Sequence, residues 1–382
     1  MRVLFIDSSL PELLRDANYP AGGWAVQLRE LLLGLRQTGH HAGVLVPSGT
    51  KSLAGPQDIC ELLETYDPAR GIRKLRLFNY FVPAMLKAAR AFHPDIVFQS
   101  CAGLDTGLMA FVARRLRVPF VHRVASDADT DDRCAERLSR RDFWIYNQGL
   151  KSAQLLICQN NYQYGQLRNR YPRKRILQLS NGIDVPALPA GLKSRHDRSY
   201  VAWIGTFREP KNLPLLCRLA AELGGIPFRV AGMLPAQPDR ESVEAVAALR
   251  TLKNVELVGH VKRSEIFDFL SNAVLLVNTS RFEGFSNTFL EAFCTGTPIV
   301  APANVDPNDI IARHALGHSA HGESDLSSSV LKMWNQGDDP FDEFSTRCRQ
   351  YVEENLSREL IVKKLVSELG ATIASFHANK PR

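Results

Sequence analysis

The stretch SRFEGFSNTFLEAFCTGTPIVAP, residues 280–302, holds a loop, a helix and a strand in close succession. The apolar run AVLLVN (273–278) before it predicts a buried strand. TFLEAFC predicts a helix that ends at Gly296, and PIVAP (298–302) predicts the next strand. Two strands joined through a helix form a βαβ unit, in which the strands lie parallel. The segment therefore predicts an α/β fold with a parallel sheet.

The same alternation of short apolar runs and amphipathic stretches fills the whole chain in two series. The first series predicts strands at 2–7, 41–47, 95–100, 119–124 and 155–160, with helices between them, for example at 23–38 and 104–117. The second series predicts strands at 200–205, 227–232, 255–259, 273–278 and 298–302. The polar stretch SNGIDVPALPAGLKSRHDRS separates the two series and, with its Pro and Gly residues, is typical of a linker.

A chain of 382 residues is too long for a single hydrophobic core. We therefore predict an α/β protein of two Rossmann-like, doubly wound domains, residues 1–188 and 189–357, that face a central cleft. A C-terminal helix at about 358–382 is expected to pack back on the first domain. Because such folds bind ligands beyond the carboxyl ends of their strands, the loops that follow the strands are the places to search for site residues.

The composition excludes several classes of protein. Hydrophobic residues make up 45% of the chain and charged residues 23%, as in ordinary globular proteins. The seven cysteines are scattered without a C-x-x-C pair, which argues against a disulfide framework and a zinc site and favours a reducing, cytoplasmic compartment. The N-terminal MRVLFIDSSLPELL is typical of a first strand and not of a signal peptide. No apolar stretch reaches the roughly 20 residues that span a bilayer.

The net charge of +7 lies in the first half of the chain, where residues 1–185 hold 25 Lys and Arg against 17 Asp and Glu. Such an excess suggests an anionic partner: a membrane surface, a phosphorylated substrate or nucleic acid. The basic amphipathic segment 69–94 can lie on the inner face of the cytoplasmic membrane, or it can bury its apolar face in its own domain. Nucleic acid is disfavoured, because aromatic residues are not interleaved with the basic ones as base stacking requires.

The opening stretch also suggests chemistry. A tight loop that leads into a helix presents unpaired N–H groups and a positive dipole end, which suits a diphosphate. Glu283 in the loop can accept hydrogen bonds from hydroxyls of a group attached to that phosphate, and Glu291 can hold a ribose diol. Two alternatives stay open: Thr288 and Glu291 can form a capping box, and Glu283 can be a solvated loop residue.

Two further loops predict contacts to an anion. Gly22 and Gly23 lie in PAGGWAVQL, where the lack of side chains lets the backbone approach a phosphate. Arg208 and Lys211 follow the strand 200–205, where two cations can neutralise a leaving diphosphate. A flexible turn and a solvated loop are the respective alternatives. The glycines do not form G-x-G-x-x-G and no acidic residue ends the second strand, which disfavours a nicotinamide cofactor.

With these loops in place, the sequence resembles a GT-B glycosyltransferase of family 4. The motifs that carry the resemblance follow the family's order: AGGWAVQLRELLLGLRQTGHHAGVLV, LQLSNGIDV, AWIGTFREPKNLPLL, FRVAGMLP, VELVGHV and FEGFSNTFLEAFCTGTPIVAP. They span most of residues 1–305, and the last contains the family's E-x7-E signature.

The resemblance implies a nucleotide-diphosphate sugar as donor, retention of anomeric configuration, and no metal or other cofactor. Glu283 would contact the hydroxyls of the donor sugar, and Glu291 would hold the nucleotide ribose. The diphosphate would lie between two pairs of residues, Arg208 with Lys211 and Gly22 with Gly23. The backbone amides that face sugar and diphosphate would be those of Gly284, Phe285, Ser286, Asn287 and Thr288.

The sequence departs from the family pattern at two places. Thr206 stands where many members carry an arginine, and whether Arg208 takes the place of that arginine at the phosphate stays open. FQSCAG (98–103) lacks the histidine that often follows a first-domain strand. Candidates for contact with the acceptor are therefore sought after the next strand, namely His122, Ser126, Asp127 and Asp129. A core position for His122 and a solvated acidic turn for the other three are the alternatives.

The triplet His314, His318 and His321 has spacing that would align metal ligands on a helix, but Gly317 and Gly322 interrupt that helix, and we expect no metal site. Taken together, the sequence predicts a cytoplasmic, peripherally membrane-associated hexosyltransferase. Its acceptor would be a hydroxyl of a saccharide, such as a lipid-linked glycan, a lipopolysaccharide or an exopolysaccharide precursor. The rivals are a GT-B epimerase or phosphorylase, which the E-x7-E motif disfavours, and a degenerate protein that binds nucleotide sugar or a partner without turnover.

Overall fold

The computed structural model describes residues 1–54, 58–67, 69–70, 77–188 and 191–378, and the chain divides into two compact units. Unit 1 comprises Met1–Asp184 and Arg358–Arg382, and unit 2 comprises Val185–Ser357. Each unit is built on one sheet in which all paired strands are parallel. The predicted α/β class with two doubly wound sheets is confirmed.

Unit 1 contains a seven-stranded sheet in the order β3-β2-β1-β4-β5-β6-β7. Its strands are β1 (Arg2–Ile6), β2 (His41–Val46), β3 (Glu61–Glu64), β4 (Ile96–Ser100), β5 (Phe120–Arg123), β6 (Leu155–Cys158) and β7 (Arg175–Gln178). Its helices are α1 (Leu10–Arg15), α2 (Gly23–Gln37), α3 (Lys51–Ala54), α4 (Val82–Phe92), α5 (Leu104–Leu116), α6 (Arg133–Arg137), α7 (Arg140–Ser152), α8 (Asn161–Arg170) and, from the end of the chain, α16 (Arg358–Ala378). Successive residues of β1 enter different cores: Val3 and Phe5 join one apolar cluster and Leu4 another, because strand side chains alternate between the two faces of a sheet.

Unit 2 contains a six-stranded sheet in the order β10-β9-β8-β11-β12-β13. Its strands are β8 (Tyr200–Ile204), β9 (Phe228–Ala231), β10 (Val255–Gly259), β11 (Ala273–Val277), β12 (Ile299–Pro302) and β13 (Gly317–Ala320). Its helices are α9 (Leu213–Glu222), α10 (Arg240–Leu249), α11 (Ile266–Ser271), α12 (Asn287–Cys294), α13 (Ile310–Arg313), α14 (Glu323–Trp334) and α15 (Asp338–Asn355). Every residue of β11 is buried, as expected for a central strand covered on both faces.

The strand order reverses beside the first strand of each unit. In unit 1 the chain builds outward from β1 first to β2 and β3 and then, on the other side, to β4 and beyond. In unit 2 the corresponding reversal lies between β8 and β11. Loops from neighbouring strands diverge at such a switch point and leave a crevice at the carboxyl ends, where open α/β sheets bind ligands.

The ten strands predicted from apolar runs are all present, and the structure adds three: β3, β7 and β13. All three are the outermost strands of their sheets, and their sequences, ELLE, RILQ and GHSA, are short and partly polar. An edge strand pairs with only one neighbouring strand and lies at the border of the sheet. Its sequence can therefore be shorter and more polar than that of a central strand. These strands therefore carry too weak a pattern to be recognised alone.

The segment 69–94 falls partly outside the described residues, since 71–76 are not described. From Leu77 to Phe81 the chain forms a π-helical turn, and α4 follows with Pro83 in its first turn. The apolar side of α4, with Met85 and Phe92, is buried in the core of unit 1. The described part of this segment thus uses its apolar face for its own domain. In the part of the chain that the structure describes, no helix combines the length and the apolar character needed to cross a membrane.

The C-terminal helix α16 packs on α2 within unit 1. The contact is close at Gly34 of α2, where an added Cβ would lie 2.5 Å from Cγ2 and 3.0 Å from Cβ of Val362. A β-branched side chain cannot turn away easily on a helix, so this glycine lets the two helices approach. At the start of α16, Arg358 forms ion pairs with Glu30 of α2 (3.3 Å) and with Asp184 (2.5 Å). These contacts anchor the end of the chain to unit 1.

We expect Gly34→Ala to destabilise unit 1 by roughly 1–3 kcal/mol, because the new methyl group forces α16 away from α2. Gly370→Ala is the matched control, since Gly370 lies inside α16 with nothing within 4 Å of its Cβ position. That control should stabilise by up to about 1 kcal/mol, because alanine favours the helix. Thermal unfolding of the full chain measures both. Equal midpoints for the two variants would contradict the close packing.

Candidate functional site

The predicted donor-site residues of unit 2 lie in the two loops that leave its switch point. The loop after β8 contains a 3₁₀ turn, Glu209–Lys211, and Lys211 is its last residue. The loop after β11 runs to Ser286, and Glu283 lies within it. Because β8 and β11 are neighbours in the sheet, these two loops emerge side by side.

Lys211 and Glu283, 72 positions apart in the sequence, form an ion pair between the two loops. The Nζ of Lys211 donates a hydrogen bond to Oε1 of Glu283, and Oγ of Ser280 donates to the same oxygen at 2.8 Å. Both charged side chains are mostly buried, with 15% and 16% of their surfaces exposed. The solvated-loop alternative for Glu283 is therefore wrong.

The surroundings of Glu283 act on its pKa in opposite directions. Burial raises the pKa of this carboxyl, but the Lys211 ammonium and the hydrogen bonds from Ser280 and Asn278 favour the carboxylate and outweigh burial. The pKa of Glu283 is therefore below its ordinary value. The group is an anion at neutral pH, able to accept hydrogen bonds and to stabilise positive charge.

Hydrogen bonds fix the two loops against each other. Thr279 donates its hydroxyl to the backbone oxygen of Lys211 at 2.8 Å, and the indole N–H of Trp203 donates to that same hydroxyl at 3.0 Å. The backbone N–H of Arg281 donates to the oxygen of Pro210 at 2.9 Å. A chain of hydrogen bonds thus connects the loop of Lys211 to Trp203 in the core of the sheet.

Arg281 is a residue that sequence reasoning missed. Its guanidinium donates to the backbone oxygen of Glu209 at 2.6 Å, to the Glu209 carboxylate at 2.9 Å and to Glu241 of α10 at 2.9 Å. It ties the β11 loop to the β8 loop from the side opposite to the core. A signal was present, because Asn278, Thr279, Ser280 and Arg281 follow the buried strand directly, at its carboxyl end.

Helix α12 begins with Asn287, and Ser286 is its N-cap residue. The side chain of Ser286 makes no capping hydrogen bond to the helix amides, and the first turn carries no acidic residue. The hydroxyl of Ser286 is instead hydrogen-bonded to that of Thr288 at 2.9 Å. The capping-box interpretation of Thr288 and Glu291 is therefore wrong, since Thr288 is the second residue of the helix and not its cap. A helix end of this kind is suited to an anion.

Glu291 lies one turn inside α12 and is largely buried, with 9% of its side chain exposed. Arg263, from the 3₁₀ turn Arg263–Glu265, places Nη1 at 3.8 Å from Oε1 of Glu291. This arginine was not recognised in the sequence, because nothing in its neighbourhood marks it as a partner of a residue in α12. The pair gives the buried carboxylate a counter-charge.

The other donor-site candidates of unit 2 divide by exposure. Gly284, Phe285 and Ser286 are buried, with the Phe285 side chain turned into the protein, while Asn287 and Thr288 at the helix start are partly exposed. Arg208 is exposed and, among the described residues, its guanidinium makes no hydrogen bond or ion pair. Thr206, two residues earlier, is exposed as well.

In unit 1, Gly22 and Gly23 lie at the start of α2, with Gly22 as N-cap and Gly23 as first helical residue. Both are exposed, and the first turn of the helix has no acidic residue. An added Cβ on Gly22 would have nothing within 4 Å, and the backbone of Gly22 does not require glycine (φ −64°). Neither local strain nor packing explains this glycine, so the space beside it is open to a ligand.

His122 lies within β5 and has no exposed surface. One ring nitrogen is 2.8 Å from Oε1 of Gln99, and the ring stands edge-on to Tyr146 at 5.5 Å. Burial lowers the pKa of His122 to about 3, so the ring is neutral. A residue without exposed surface cannot touch an acceptor, and we assign His122 to the core in place of the acceptor site.

Asp127 and Asp129 do not form a solvated acidic turn, because both are about 95% buried. The Asp127 carboxylate accepts from the amides of Asn160 (2.9 Å) and Gln163 (3.0 Å). The Asp129 carboxylate accepts a hydrogen bond from the backbone N–H of Ser126, and the Ser126 hydroxyl accepts one from the backbone N–H of Asp129. The two residues thus form a capping box at the 3₁₀ turn Asp127–Asp129. The two carboxylates thus hold the loop after β5, and one oxygen of each accepts two hydrogen bonds from the protein itself. Ser126, which is partly exposed, remains a prediction.

The histidines of the H-x3-H-x2-H triplet lie on different elements. His314 follows α13 as its C-cap residue, with its ring 4.8 Å from that of Tyr351. His318 lies in β13 and is 3.3 Å from Asp325, and His321 follows that strand. Within the described ranges, no three His, Cys, Asp or Glu residues are grouped as metal ligands would be.

A cavity of about 360 Å³ adjoins the two loops of unit 2. Asn212, Thr279, Ser280 and Arg281 line one side of it, and residues from the loops after β12 and β13 line the other. A cavity of about 510 Å³ in unit 1 opens at the amino ends of β1, β2 and β3, which is the edge opposite to the switch-point loops. The cavity of unit 2 therefore lies with the candidate site, and the cavity of unit 1 does not.

Comparison with known proteins identifies both parts of the chain. Residues 21–186 match the model of Glycosyltransferase Family 4, and residues 198–335 match the model of Glycosyl transferases group 1. A GDP-mannose-dependent alpha-mannosyltransferase of Mycolicibacterium smegmatis is 22% identical over 73% of this chain and 75% of its own length.

Solved structures give the same fold. Sucrose-phosphate synthase from Thermosynechococcus elongatus superposes with a TM-score of 0.75 at 17% identity, over 98% of this chain and 100% of its own. Anabaena Alr3699/HepE in complex with UDP and glucose superposes with a TM-score of 0.71 at 15% identity, over 97% and 100%. The chain therefore belongs to the GT-B glycosyltransferases, with a family 4 domain followed by a group 1 glycosyltransferase domain, and it is a transferase enzyme.

Proposed function

We propose that this enzyme is a retaining hexosyltransferase that moves a sugar from a nucleoside diphosphate to a hydroxyl of a saccharide acceptor. The observation that carries the proposal is the ion pair of Lys211 and Glu283 between the switch-point loops, with Glu283 in the same loop that leads into α12. It supplies a fixed cation, a fixed anion and helix amides in the part of the fold where α/β sheets bind nucleotides.

Each of these groups can stabilise a charge that develops during the reaction. When the bond between C1 of the sugar and the diphosphate oxygen breaks, negative charge develops on the diphosphate and positive charge on the sugar ring. Lys211 has three N–H donors, so it can bond to Glu283 and to a phosphate oxygen at once. The amides at the start of α12 and the exposed Arg208 add positive potential. Such groups stabilise the transition state more than the ground state.

The acceptor hydroxyl completes the reaction. Its oxygen forms the new bond to C1 on the face from which the diphosphate departs, and the departing phosphate takes the hydroxyl proton. A protein base and a metal ion are not required in this scheme. Glu283 is the group that holds the hydroxyls of the donor sugar, and Glu291, with Arg263 beside it, holds the ribose diol.

The names of similar proteins and of similar solved structures fit a nucleoside-diphosphate sugar as donor. The mannosyltransferase depends on GDP-mannose, and the HepE structure contains UDP and glucose. For this chain we propose a nucleoside-diphosphate hexose as donor and a saccharide, free or lipid-linked, as acceptor. Contact with an anionic membrane surface stays a prediction, and the exposed cations Arg70, Lys87 and Arg90 of segment 69–94 are its basis.

A ligand and turnover panel tests the proposal. Full-length protein is heated with UDP, GDP, ADP and their hexose derivatives, and one base should stabilise it, by about 2.7 kcal/mol at 100 times the dissociation constant. The matching nucleotide sugar should then be hydrolysed slowly without acceptor, also in EDTA, and the anomeric configuration of the released sugar should be that of the donor. If no nucleotide binds, or if one binds and no donor is turned over, the proposed function is wrong.

Glu283→Gln should lower kcat by about 10²–10³ while the Kd for the nucleoside diphosphate stays within a few-fold, because the carboxylate acts on the sugar and not on the nucleotide. Glu256→Gln is the matched control. It removes a carboxylate from an ion pair of the same unit, with Arg229 at 2.8 Å, far along the sheet from the switch-point loops. Kinetics and calorimetry on both variants check this. Wild-type kcat in the Glu283 variant would contradict the assigned role.

The charge state of Glu283 predicts a pH dependence of stability. Its pKa in the folded protein is lowered, so the ion pair stabilises fully above the unfolded value of about 4.3 and loses its effect as pH falls through the folded pKa. Thermal midpoints of the wild type and of Glu283→Gln should therefore differ by a constant amount from pH 8 to pH 5 and converge below about pH 4. A difference that stays constant into the acid range would refute an ionised Glu283.

Glu291→Gln should raise the Kd of the nucleoside diphosphate by about tenfold or more, since a hydrogen bond to a buried charged group is lost. The same substitution should leave the affinity for the 2′,3′-dideoxy analogue unchanged, because that analogue has no ribose diol to lose. Isothermal titration of both nucleotides with both proteins separates ribose recognition from a general loss of structure. Equal weakening for the two nucleotides would show that Glu291 acts on the fold alone.

A further inference from the structure

The positive charge of unit 1 is concentrated in one segment of its sequence. Residues 133–183 hold ten Lys and Arg against two Asp and Glu, while the other residues of 1–185 hold 15 of each kind. The segment contains the helices α6, α7 and α8 and the strands β6 and β7, which form one edge of the seven-stranded sheet. The charge excess of the first half of the chain therefore belongs to this edge of unit 1.

Contacts between side chains hold α7 and α8 side by side. Arg170, at the end of α8, donates from Nη2 to Oδ1 of Asn147 in α7 at 2.7 Å, and its guanidinium lies 5.8 Å from the ring centre of Phe143. In the turn after α8, Nζ of Lys174 donates to the backbone oxygen of Lys151 at 2.5 Å. The two helices and this turn thus present their cations together.

Most of the exposed cations at this edge are not neutralised by the protein. Arg175 pairs with Glu368 of α16, and Arg141 pairs with Asp142. Among the residues that the structure describes, four exposed cations form no ion pair with a carboxylate: Arg140, Lys151, Arg170 and Arg173. Their charge is therefore directed at the solvent, where it attracts an anionic partner.

Trp144 of α7 has 62% of its surface exposed, more than any other large apolar side chain in the described part of the chain. The helix turns Tyr146 and Leu150 into the core, and Trp144 lies on the opposite side. Arg140 is one turn before Trp144 and Lys151 two turns after it, so these three side chains share the outer side of α7. An aromatic ring thus stands in water between two unpaired cations.

We propose that the α7 face, defined by Arg140, Trp144, Lys151, Arg170 and Arg173, docks on a lipid bilayer that contains anionic lipids. Tryptophan is enriched at the headgroup level of membranes, where its ring meets apolar and polar surroundings at once. Cations beside it gain energy from the negative potential of anionic headgroups. The docking does not rest on the proposed glycosyl transfer, because no nucleotide takes part in it.

An acidic protein fits the α7 face less well than a bilayer. Neither of the two cavities is lined by a residue of 133–183, and one exposed aromatic ring offers little apolar contact for a protein interface, which buries about 800 Å² per partner. A bilayer needs no matching shape, only positive charge and a ring at headgroup depth.

Segment 69–94 is the rival surface within the same unit. In its described part, α4 exposes Lys87 and Arg90, but the large apolar side chains of this helix are buried or half-buried. The α7 face combines unpaired cations with an exposed ring, whereas α4 offers cations alone.

Vesicle binding by the full-length protein tests the proposal. Vesicles of phosphatidylcholine, with and without phosphatidylglycerol, are floated with the protein at about 0.1 M salt. The wild type should bind only the anionic vesicles and dissociate at high salt. Arg140→Gln combined with Lys151→Gln should weaken binding about 30-fold, since each cation near an anionic surface contributes about fivefold. Lys87→Gln combined with Arg90→Gln removes the same charge from α4 and should leave the affinity close to wild type.

A second set of variants tests the aromatic ring. Trp144→Gln should weaken binding about tenfold, because its apolar surface is no longer buried in the bilayer. Leu360→Gln is the matched control, since Leu360 is an exposed apolar residue of α16 in the same unit (43%). Brominated lipids should quench tryptophan fluorescence in the wild type but not in Trp144→Phe, because the other three tryptophans are buried or half-buried: Trp24, Trp203 and Trp334.

The outcomes separate the alternatives. A wild-type protein that does not bind anionic vesicles would overturn the proposal and leave an acidic protein as the occupant of the α7 face. Loss of binding in the α4 variant, with binding retained in the α7 variant, would overturn it in favour of segment 69–94. Unchanged thermal midpoints show that the variants are folded, as expected for exposed positions. Vesicle binding without turnover of any nucleotide sugar would remove the proposed function and leave the docking surface standing.

Discussion

The candidate donor site depends on one interaction, the ion pair between Lys211 and Glu283. It joins the loops that follow two neighbouring parallel strands, and neither partner would be acceptable without the other, because an unpaired charge of such low exposure is unfavourable. The hydrogen bonds of Thr279 and Trp203 connect this pair to the core of the sheet. The switch point of the sheet thus brings the charges together, and the core fixes their positions.

Buried charges serve different purposes in the two units. Arg198 and Arg358 are hydrogen-bonded or ion-paired to groups of the protein itself. Arg198 connects segments within unit 2, and Arg358 connects α16 to α2 and to Asp184. Lys211 and Glu283 are paired, yet they lie at a loop edge where further donors and acceptors of a ligand can be added. Arg123 donates a hydrogen bond to the side-chain amide of Asn181 and lies over the Trp24 ring.

Patterns of charge and polarity predicted the burial of side chains less well than apolar runs predicted the strands. The amphipathic character of α4 suits a membrane surface as well as a domain core, and the structure buries Met85 and Phe92 in the core. The acidic run after β5 looks solvated, yet Asp127 and Asp129 are buried and hydrogen-bonded within the protein. In both cases the sequence records which residues are polar but not which face of the element the rest of the chain covers.

The sequence by itself determined ten of the thirteen strands of the described residues, the two series that became two units, and the loops at strand ends where Glu283, Lys211 and Gly22 lie. These features are local, since apolar periodicity and turn residues act over a few positions. Only the tertiary structure decided that Lys211 meets Glu283, that Arg263 lies beside Glu291, and that Arg358 pairs with Glu30 and Asp184. Such contacts join residues far apart in the chain, and they exist only once parallel pairing has fixed which strand ends are neighbours.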